Sequence, residues 1–207
     1  MYIPPAFEEH DATFVRAVMR AAGLAHLVLA SADGPLSTPL PLFLDERDGA
    51  HGTLLGHVAR ANPIWRAQPL GEALAIFGGP DAYVSPSWYA SKRDSGKVVP
   101  TWNYVTVHAF GPVEFFSDAD RLLDVVTRLT SMHEDGRAHP WAVSDAPPDY
   151  IDAMLRGIVG VRIPVTRLAC KRKMSQNRSE QDRAGVIAGL EAGTDPTLHA
   201  VAGLIKK

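Results

Sequence analysis

The sequence predicts a mainly β protein with flanking helices, an α+β fold in which short strands form a small barrel. Apolar runs of strand length, separated by Gly, Pro and Asp turn signals, fill the middle of the chain. Apolar residues at helical spacing lie towards both ends and between the strands. This order favours a barrel with helical decoration over alternating βαβ units.

The size and charge of the chain favour one globular domain over residues 1–207. Of the 207 residues, 46% are hydrophobic and 21% are charged, which is ordinary for a protein with one sizeable core. The formal net charge is −2. This balance gives no overall support for non-specific binding to nucleic acid, which depends on Lys and Arg neutralising phosphates.

The single cysteine and the short apolar runs bear on metal binding, membrane association and the cellular compartment of the protein. Cys170 has no second cysteine with which to form a disulfide or a thiolate metal cluster. The apolar runs are far shorter than the ~20 residues that span a bilayer, and residues 1–9 are acidic where a signal peptide is basic. We therefore expect no metal, no membrane partner and a location in the reducing cytoplasm.

Local patterns predict the elements in chain order. Strands are predicted over residues 24–31, 36–44, 52–59, 73–78, 82–85, 104–116 and 158–170. Helices are predicted over residues 13–22 before Gly23, over 63–68 after an Asn62 cap, from a Ser117–Asp120 capping box through Met132, from Pro147-Pro148 to about Gly157, from Ser179, and from Asp195-Pro196 to Lys206-Lys207. The last two helices form a C-terminal extension. In the strand over residues 36–44, Pro39 and Pro41 remove N–H donors from one side, which predicts an edge strand or an interrupted ladder.

The segment over residues 56–63 places His57 and Arg60 at a strand exit, directly before the helix that Asn62 caps. Free backbone N–H groups, the positive end of a helix dipole and a guanidinium fork could converge there on one phosphate. The alternative is a solvated Arg60 and a capping Asn62 with no ligand, and the residues alone favour that alternative.

Two further segments have features of a binding site for a planar ring. Trp88-Tyr89 and Trp102-Asn103-Tyr104 flank a polar stretch, and such aromatic clusters could hold a flavin or could pack in a core or a dimer interface. Residues 171–178 form a basic and polar run. This run could be a nucleic-acid patch, a reader of a heteroaromatic ring edge, or a solvated loop.

The common catalytic and nucleotide-binding motifs are absent from the sequence. There is no G-x-G-x-x-G, Walker, G-x-S-x-G or H-E-x-x-H pattern. His133 and His139 are six residues apart, which puts them on different faces of a helix. His108 lies in mid-strand, where a packed histidine is expected. The sequence therefore names no catalytic residue, and whether the protein is an enzyme stays open.

Five segments, taken in order, resemble the PaiB family, whose members are labelled FMN-binding negative transcriptional regulators. The segments are MYIPPAF at 1–7, GHVARANP at 56–63, YVSPSWY at 83–89, VPTWNY at 99–104 and KMSQNR at 173–178. The resemblance runs from Met1 to about Leu190, with Met174 where leucine is expected. It implies a split β-barrel similar to pyridoxamine-phosphate oxidase, forming homodimers that bind FMN in clefts at the subunit interface.

The resemblance also implies where FMN binds. The strand over residues 36–44, with Ser37 and Thr38, and the turn that carries His57, Arg60 and Asn62 would hold the ring and phosphate. The remaining implied contacts, from either subunit, are Trp102, Asn103, Lys173, Ser175 and Gln176.

Three functional hypotheses follow. The first is an FMN-binding split-barrel protein of the flavin-dependent oxidoreductase type. The alternative is a PaiB-like negative transcriptional regulator, with or without FMN. The charge balance and the lack of a readable DNA-binding helix weigh against direct DNA binding in that alternative. A third hypothesis is haem binding with His57 or a neighbouring histidine as ligand.

Overall fold

The computed structural model describes residues 1–206 and contains both helices and strands along the whole of that range. The helices are α1 (Ala12–Ala21), α2 (Ser91–Ser95), α3 (Ala119–Glu134), α4 (Pro148–Arg156), α5 (Glu180–Glu191) and α6 (Pro196–Lys206). The strands are β1 (Ala25–Ser31), β2 (Gly34–Leu40), β3 (Leu42–Asp45), β4 (Thr53–Ala59), β5 (Ala73–Val84), β6 (Thr101–Gly111), β7 (Glu114–Phe116), β8 (Ile158–Pro164) and β9 (Arg167–Lys173). Short 3₁₀ turns occupy Pro5–Phe7, Pro63–Arg66, Pro86–Trp88 and Val143–Asp145.

The strands form two sheets. One has the order β2-β1-β5-β6-β9, and the other has the order β3-β4-β8-β7. In the first sheet β1 pairs antiparallel with both β2 and β5, and in the second β3–β4, β4–β8 and β7–β8 are antiparallel. Two antiparallel sheets with helices before, between and after the strands confirm the predicted α+β class. Within residues 1–206, no helix is long and apolar enough to cross a membrane.

The strand predicted over residues 36–44 is wrong as a single element. The chain leaves the first sheet after Leu40 and enters the second at Leu42, with Pro41 between them. Proline cannot donate to a ladder, so the change of sheet takes place where the backbone has no N–H to pair. The edge position is confirmed, because β2 is the outermost strand of its sheet and, within residues 1–206, pairs with β1 alone.

Three other strand boundaries also differ from the prediction. The segment over 104–116 divides into β6 and β7, and the segment over 158–170 divides into β8 and β9. Both breaks lie where two backbone segments approach each other closely. A Cβ on Gly111, at the end of β6, would lie 2.0 Å from the carbonyl oxygen of Pro164, at the end of β8. Residues 73–78 and 82–85 are instead one continuous strand, β5, which passes through a Gly-Gly-Pro sequence that resembles a turn.

The helix ends follow their local signals closely. Gly23 follows α1 with φ +65°, and the Ser179 hydroxyl accepts a hydrogen bond of 3.2 Å from the Asp182 N–H at the start of α5. At α3 the predicted cap is one residue out, because Asp118 rather than Ser117 accepts from the Arg121 N–H, at 2.9 Å. The last predicted helix is confirmed to Lys206, and Lys207 lies outside the described residues.

Backbone contacts divide the chain into two compact units. The first comprises Met1–Val18, Gly78–Val107 and the residues from Ala169 onward, and the second comprises Met19–Phe77 and His108–Leu168. In the second unit, α3 and α4 pack on one face of the four-stranded sheet. The buried cluster there is Phe43, Phe116, Leu122, Val125, Leu129 and Leu155. Burial of these side chains is the main favourable term for this unit.

In the first unit, the C-terminal helices have their own core and a buried polar junction. The side chains that α5 and α6 bury are Val186, Leu190, Val201, Ala202 and Ile205. The buried Asp182 carboxylate accepts from both the N–H and the hydroxyl of Ser91, each at 2.9 Å. The Ser91 N–H is the main cause of the lowered pKa of Asp182. This junction fastens the start of α2 to α5.

Gly160 tests the packing of the second unit. It lies opposite Phe116 in the β7–β8 pair, and a Cβ at Gly160 would lie 2.2 Å from the Phe116 ring. We predict that Gly160→Ala lowers the free energy of unfolding by about 1–3 kcal/mol, because the buried ring must shift. Chemical denaturation would measure this change. Gly136→Ala is the matched control, because nothing lies within 4 Å of the added methyl group. Equal stability of the two variants would contradict the packing.

Candidate functional site

The end of β4 and the turn after it carry three of the predicted site residues. Asn62 caps the 3₁₀ turn through its side-chain oxygen, which accepts from the Ile64 N–H at 3.0 Å. Its amide nitrogen donates to the Thr38 hydroxyl on β2 at 2.9 Å. Thr38 and Asn62 are therefore brought together as the sequence predicts, whereas Ser37 lies on the opposite, exposed face of β2.

Arg60 is held by backbone carbonyl groups. Its Nε donates to the Arg156 carbonyl oxygen at 2.6 Å, and Nη2 donates to the Ile158 carbonyl oxygen at 2.8 Å and the Ser117 hydroxyl at 3.2 Å. Its backbone N–H donates to the Gly157 carbonyl oxygen at 2.8 Å. The guanidinium thus satisfies acceptors where α4 ends and β8 begins. Arg60 is therefore not merely solvated, because its guanidinium has a structural role, and Asn62 is the cap that the no-ligand alternative expects.

The same arginine lines a cavity of about 310 Å³ beside the start of α3. Ser117 and Ala119 at that helix start, together with Arg156 and Asp152 from α4, form much of its wall. Two guanidinium groups, a hydroxyl and a helix N-terminus are a donor set that suits an oxyanion. The opposing charges are the exposed Asp152 in the wall and, at the helix start, Asp120 and the Asp118 cap, which already accepts from the Arg121 N–H. The helix concerned is α3. The predicted helix over 63–68 is only the four-residue turn Pro63–Arg66, too short to supply a dipole.

The His57 side chain lines a different cavity from the one that Arg60 lines. It lines an apolar cavity under α3 and α4, and its Nδ1 atom is buried with no hydrogen-bond partner in the part of the chain that the structure describes. Burial lowers its pKa below the ordinary value of 6.5, because desolvation disfavours the charged imidazolium. The imidazole is therefore neutral at pH 7.

In the first unit, Trp102 lies on an open cavity over β5 and β6. Its side chain is 52% exposed and meets Tyr83 edge to face, with ring centroids 6.1 Å apart. The cavity has a volume of about 400 Å³ and is lined also by Gly78, Gly79 and Asp81. Because nothing lies within 4 Å of a Cβ built on Gly78, a flat ring can approach the strand backbone there, whereas the Val105 side chain occupies the space beside Gly79.

The other predicted residues of the first unit hold the turn after β9. Asn103 and Ser175 are both buried and exchange hydrogen bonds of 3.0 and 3.2 Å through their side chains. Gln176 accepts from the Met174 N–H at 2.6 Å and donates to the Arg172 carbonyl oxygen. Ser175 has φ +62°, so these contacts support a left-handed conformation that is uncommon for a residue with a Cβ.

The basic run over residues 171–178 is neither a free patch nor a solvated loop. Lys171 is 8% exposed and donates to the Tyr2 carbonyl oxygen at 3.2 Å. Arg172 pairs with Glu9 at 3.2 Å and donates to the Leu204 carbonyl oxygen at 2.8 Å. Lys173 donates to the Thr101 hydroxyl, and burial lowers its pKa. Arg178 lies over the Tyr89 ring. These charges therefore have partners within the chain.

Sequence reasoning missed Arg156 as a site residue. It was expected only to precede the end of a short helix, and its position beside Arg60 depends on the pairing of β4 with β8. It also missed Trp141, Tyr150 and Met154, which line the cavity that contains His57. No local pattern marks these residues, because their shared surface forms only when α4 packs beside α3.

The chain is similar to several known proteins. A family described as "Putative FMN-binding domain" matches residues 1–167. The protease synthase and sporulation protein PAI 2 of Bacillus subtilis is 32% identical over 207 residues, covering 100% of this chain and 97% of the relative. An uncharacterised protein of Emericella nidulans is 33% identical and covers 94% of this chain and 92% of its own.

Two solved structures share the fold at low identity. The flavocytochrome Anf3 of Azotobacter vinelandii has a TM-score of 0.59 and 17% identity, covering 86% of this chain and 75% of its own. The FAD and heme binding protein of Mycobacterium smegmatis has a TM-score of 0.60 and 16% identity, covering 86% and 78%. The predicted fold class, a split β-barrel of the flavin-binding type, is confirmed.

The buried histidine predicts a pH dependence of stability. The pKa of folded His57 is lowered, so the unfolded chain takes up its proton first as the pH falls. The stability that His57 contributes is therefore present above about pH 6.5 and is lost as the pH falls towards the folded pKa. We expect Tm to fall less steeply from pH 7 to about pH 5 in His57→Leu than in the parent. The exposed His51→Gln variant should keep the parental slope. An unchanged slope in His57→Leu would contradict the burial of this imidazole.

Proposed function

This chain belongs to the FMN-binding domain family, and we propose that it is a flavoprotein of the flavin-dependent oxidoreductase type. The family match over residues 1–167 supports FMN as the cofactor. The observation that carries the proposal is the cavity that Arg60 lines with Ser117, Arg156 and the start of α3. When bound, FMN supplies hydride and single-electron transfer, chemistry that no side chain provides.

The residues of this cavity fit the phosphate of FMN. A phosphate needs several convergent donors and positive charge, and the cavity has guanidinium groups, a hydroxyl and the positive end of the 16-residue helix α3. Arg60 is already fixed by carbonyl groups, so binding would cost little of its rotamer entropy. The Arg156 side chain is exposed and makes no hydrogen bond or ion pair with residues 1–206, so its guanidinium is available to a ligand.

The open cavity beside Trp102 fits an aromatic ring system. The exposed indole face offers stacking, and Gly78 leaves space above the strand. Within the first unit, we propose Trp102 as a residue that can stack on an aromatic ring. Within the second unit, we propose that Thr38 and Asn62 steady the turn that leads to Arg60. Asn103, Ser175, Lys173 and Gln176 support this proposal indirectly, because they fix the strand end and turn beside β6.

A direct transcriptional regulator remains the alternative hypothesis, and no contact in the described residues favours it. DNA affinity depends on cations that can neutralise phosphates. The basic run over residues 171–178 engages Tyr2, Glu9, Thr101 and the Leu204 carbonyl oxygen. Breaking these contacts would cost free energy and would offset part of the free energy gained by binding DNA. A regulatory role through FMN, without DNA contact by this run, is compatible with the proposal.

We propose a homodimer in the reducing cytoplasm as the working form. The exposed aromatic side chains of Tyr83 and Trp102 support the dimer. The single cysteine, Cys170, is buried, which raises the pKa of its thiol to about 12, and it supports the reducing location. Size-exclusion chromatography with light scattering should give twice the chain mass of 22.4 kDa at micromolar concentrations. An obligate interface would bury more than roughly 2,000 Å² in total. A monomer throughout that concentration range would contradict the dimer.

Arg156 gives the sharpest test of the phosphate cavity. We predict that Arg156→Gln weakens FMN binding about tenfold, because a charge-assisted contact is lost, while Tm stays unchanged. Arg60→Lys should weaken FMN binding and also lower Tm, because a lysine cannot make the three contacts of the fork. Flavin fluorescence titration and thermal unfolding measure the two effects.

The control for this experiment is Arg66→Gln. Arg66 is exposed and lies over the Trp65 ring, so the variant removes the same charge away from the cavity. We expect parental FMN affinity in this control. If Arg156→Gln and Arg66→Gln bind FMN alike, the phosphate does not occupy the Arg60 cavity.

A further inference from the structure

A polar cavity in the first unit lies between the turn that carries Trp88, the short helix α2 and the helix α5. Its volume is about 490 Å³. The lining residues that bear on a ligand are Ser87, Trp88, Lys92, Arg93, Gln181 and Gly185. Sites for small organic molecules have volumes of about 300–1,000 Å³, so this cavity is large enough for a ring together with a charged group.

Two cations and no carboxylate line this cavity. The Arg93 side chain is exposed and makes no hydrogen bond or ion pair within residues 1–206. The Lys92 ammonium group donates to the Ser87 hydroxyl at 3.1 Å. Because an ammonium group has three donors, Lys92 keeps two of them for a ligand. Both cations are therefore available to an anion.

Acidic residues adjoin the lining residues in the sequence but are not part of the lining. Asp94 and Glu180 are exposed and lie outside it. The Asp182 carboxylate is buried and accepts from the Ser91 N–H and hydroxyl, which fastens the start of α2 and with it both cations. This lining selects an anion, and its two positive charges match a phosphate monoester, whose charge is about −1.5 to −2 at pH 7. Because α2 is held in place before a ligand binds, less conformational entropy is lost on binding.

The indole of Trp88 gives the cavity an aromatic wall. A Cβ on Gly189 would lie 2.3 Å from the indole ring, and one on Gly185 would lie 2.0 Å from the Trp88 carbonyl oxygen, so α5 packs directly against this residue. The indole is thereby held in position and only half-buried, and nucleic-acid bases stack on aromatic side chains of this kind. The amide of Gln181, which is exposed and has no partner in the described part of the chain, can both donate and accept at the edge of a base.

We propose that this cavity binds a mononucleotide, with the phosphate group beside Lys92 and Arg93 and the base beside the Trp88 indole and the Gln181 amide. An inorganic anion would leave the indole unused, and a neutral aromatic molecule would leave both cations unused. The inference goes beyond the proposed flavin function and does not rest on it, because this cavity shares no lining residue with the Arg60 cavity or the Trp102 cavity.

Titration calorimetry with AMP, inorganic phosphate and adenosine on the full-length protein, with and without saturating FMN, tests the proposal. We expect one AMP per chain in both states, bound about tenfold more tightly than phosphate or adenosine, because each of these carries only one of the two recognised groups. Arg93→Gln should weaken AMP binding about tenfold, since a charge-assisted contact is lost. Lys97→Gln is the matched control, because Lys97 is an exposed cation close to α2 that lies outside the cavity.

Substitutions of Trp88 test the aromatic wall separately. Trp88→Leu should weaken AMP binding about tenfold and leave phosphate binding within about twofold, because the stacking surface is lost and the cations remain. Trp88→Phe should recover most of the AMP affinity, since a phenyl ring also stacks. Thermal unfolding of each variant checks that the fold is retained.

The outcomes separate this site from its alternatives. Weaker AMP binding in Arg93→Gln, with parental binding in Lys97→Gln, supports the site. Absence of AMP binding, equal affinity for AMP and phosphate, or equal weakening in the two charge variants overturns it. Displacement of AMP by FMN would show that the cavity belongs to the flavin site, and the proposal of a separate site would fail. If Trp88→Leu does not fold, the comparison of AMP with phosphate and adenosine and the two charge variants decide alone.

Discussion

The Arg60 guanidinium satisfies the backbone carbonyls at the junction between α4 and β8, and the shape of the candidate phosphate site depends on this contact. The carbonyl oxygens of Arg156 and Ile158 accept from Arg60, and the Gly157 carbonyl oxygen accepts from its backbone N–H. Carbonyl groups at a helix end have no partner within the helix. By supplying donors from the end of β4, one residue fixes where α4 stops and where β8 begins. The cavity beside α3 is formed by the same residues.

In the turn after β9, as at Arg60, charged side chains hold the backbone in place through contacts within the chain. A basic run of residues often faces solvent or nucleic acid. Here Lys171 is buried and Arg172 bridges to Glu9 and to a carbonyl at the end of α6. The neighbouring Asn103–Ser175 pair is satisfied reciprocally, so the turn buries polar groups without leaving them unpaired. The polar side chains of this turn are therefore engaged in holding the segment, whereas Trp102 is left exposed.

The sequence predicted the elements that local chemistry decides. The Asn62 and Ser179 caps, Gly23 after α1 and the edge position of β2 follow from one or two residues each, and all are confirmed. Membership of a sheet was not predictable in this way. Pro41 indicated an interruption but not the passage of the chain into a second sheet. The family, the fold class and FMN as cofactor were predicted from the order of five segments and are confirmed.

The individual contacts of the site could not be predicted, because they depend on residues far apart in the chain. Arg60 meets Arg156 across 96 positions, and the facing direction of His57 depends on the register of β4 with β8. Sequence patterns place both residues at a strand exit, but only packing turns Arg60 towards α3 and His57 towards the apolar cavity.

Identification of the cofactor tests the central claim most directly. The full-length protein would be purified, incubated with a mixture of FMN, FAD and haem, and freed of unbound ligand by gel filtration. Acid release followed by chromatography then identifies what is retained. The account predicts FMN at close to one molecule per chain, with little FAD or haem. Retention of haem or FAD in place of FMN, or of no cofactor at all, would contradict it.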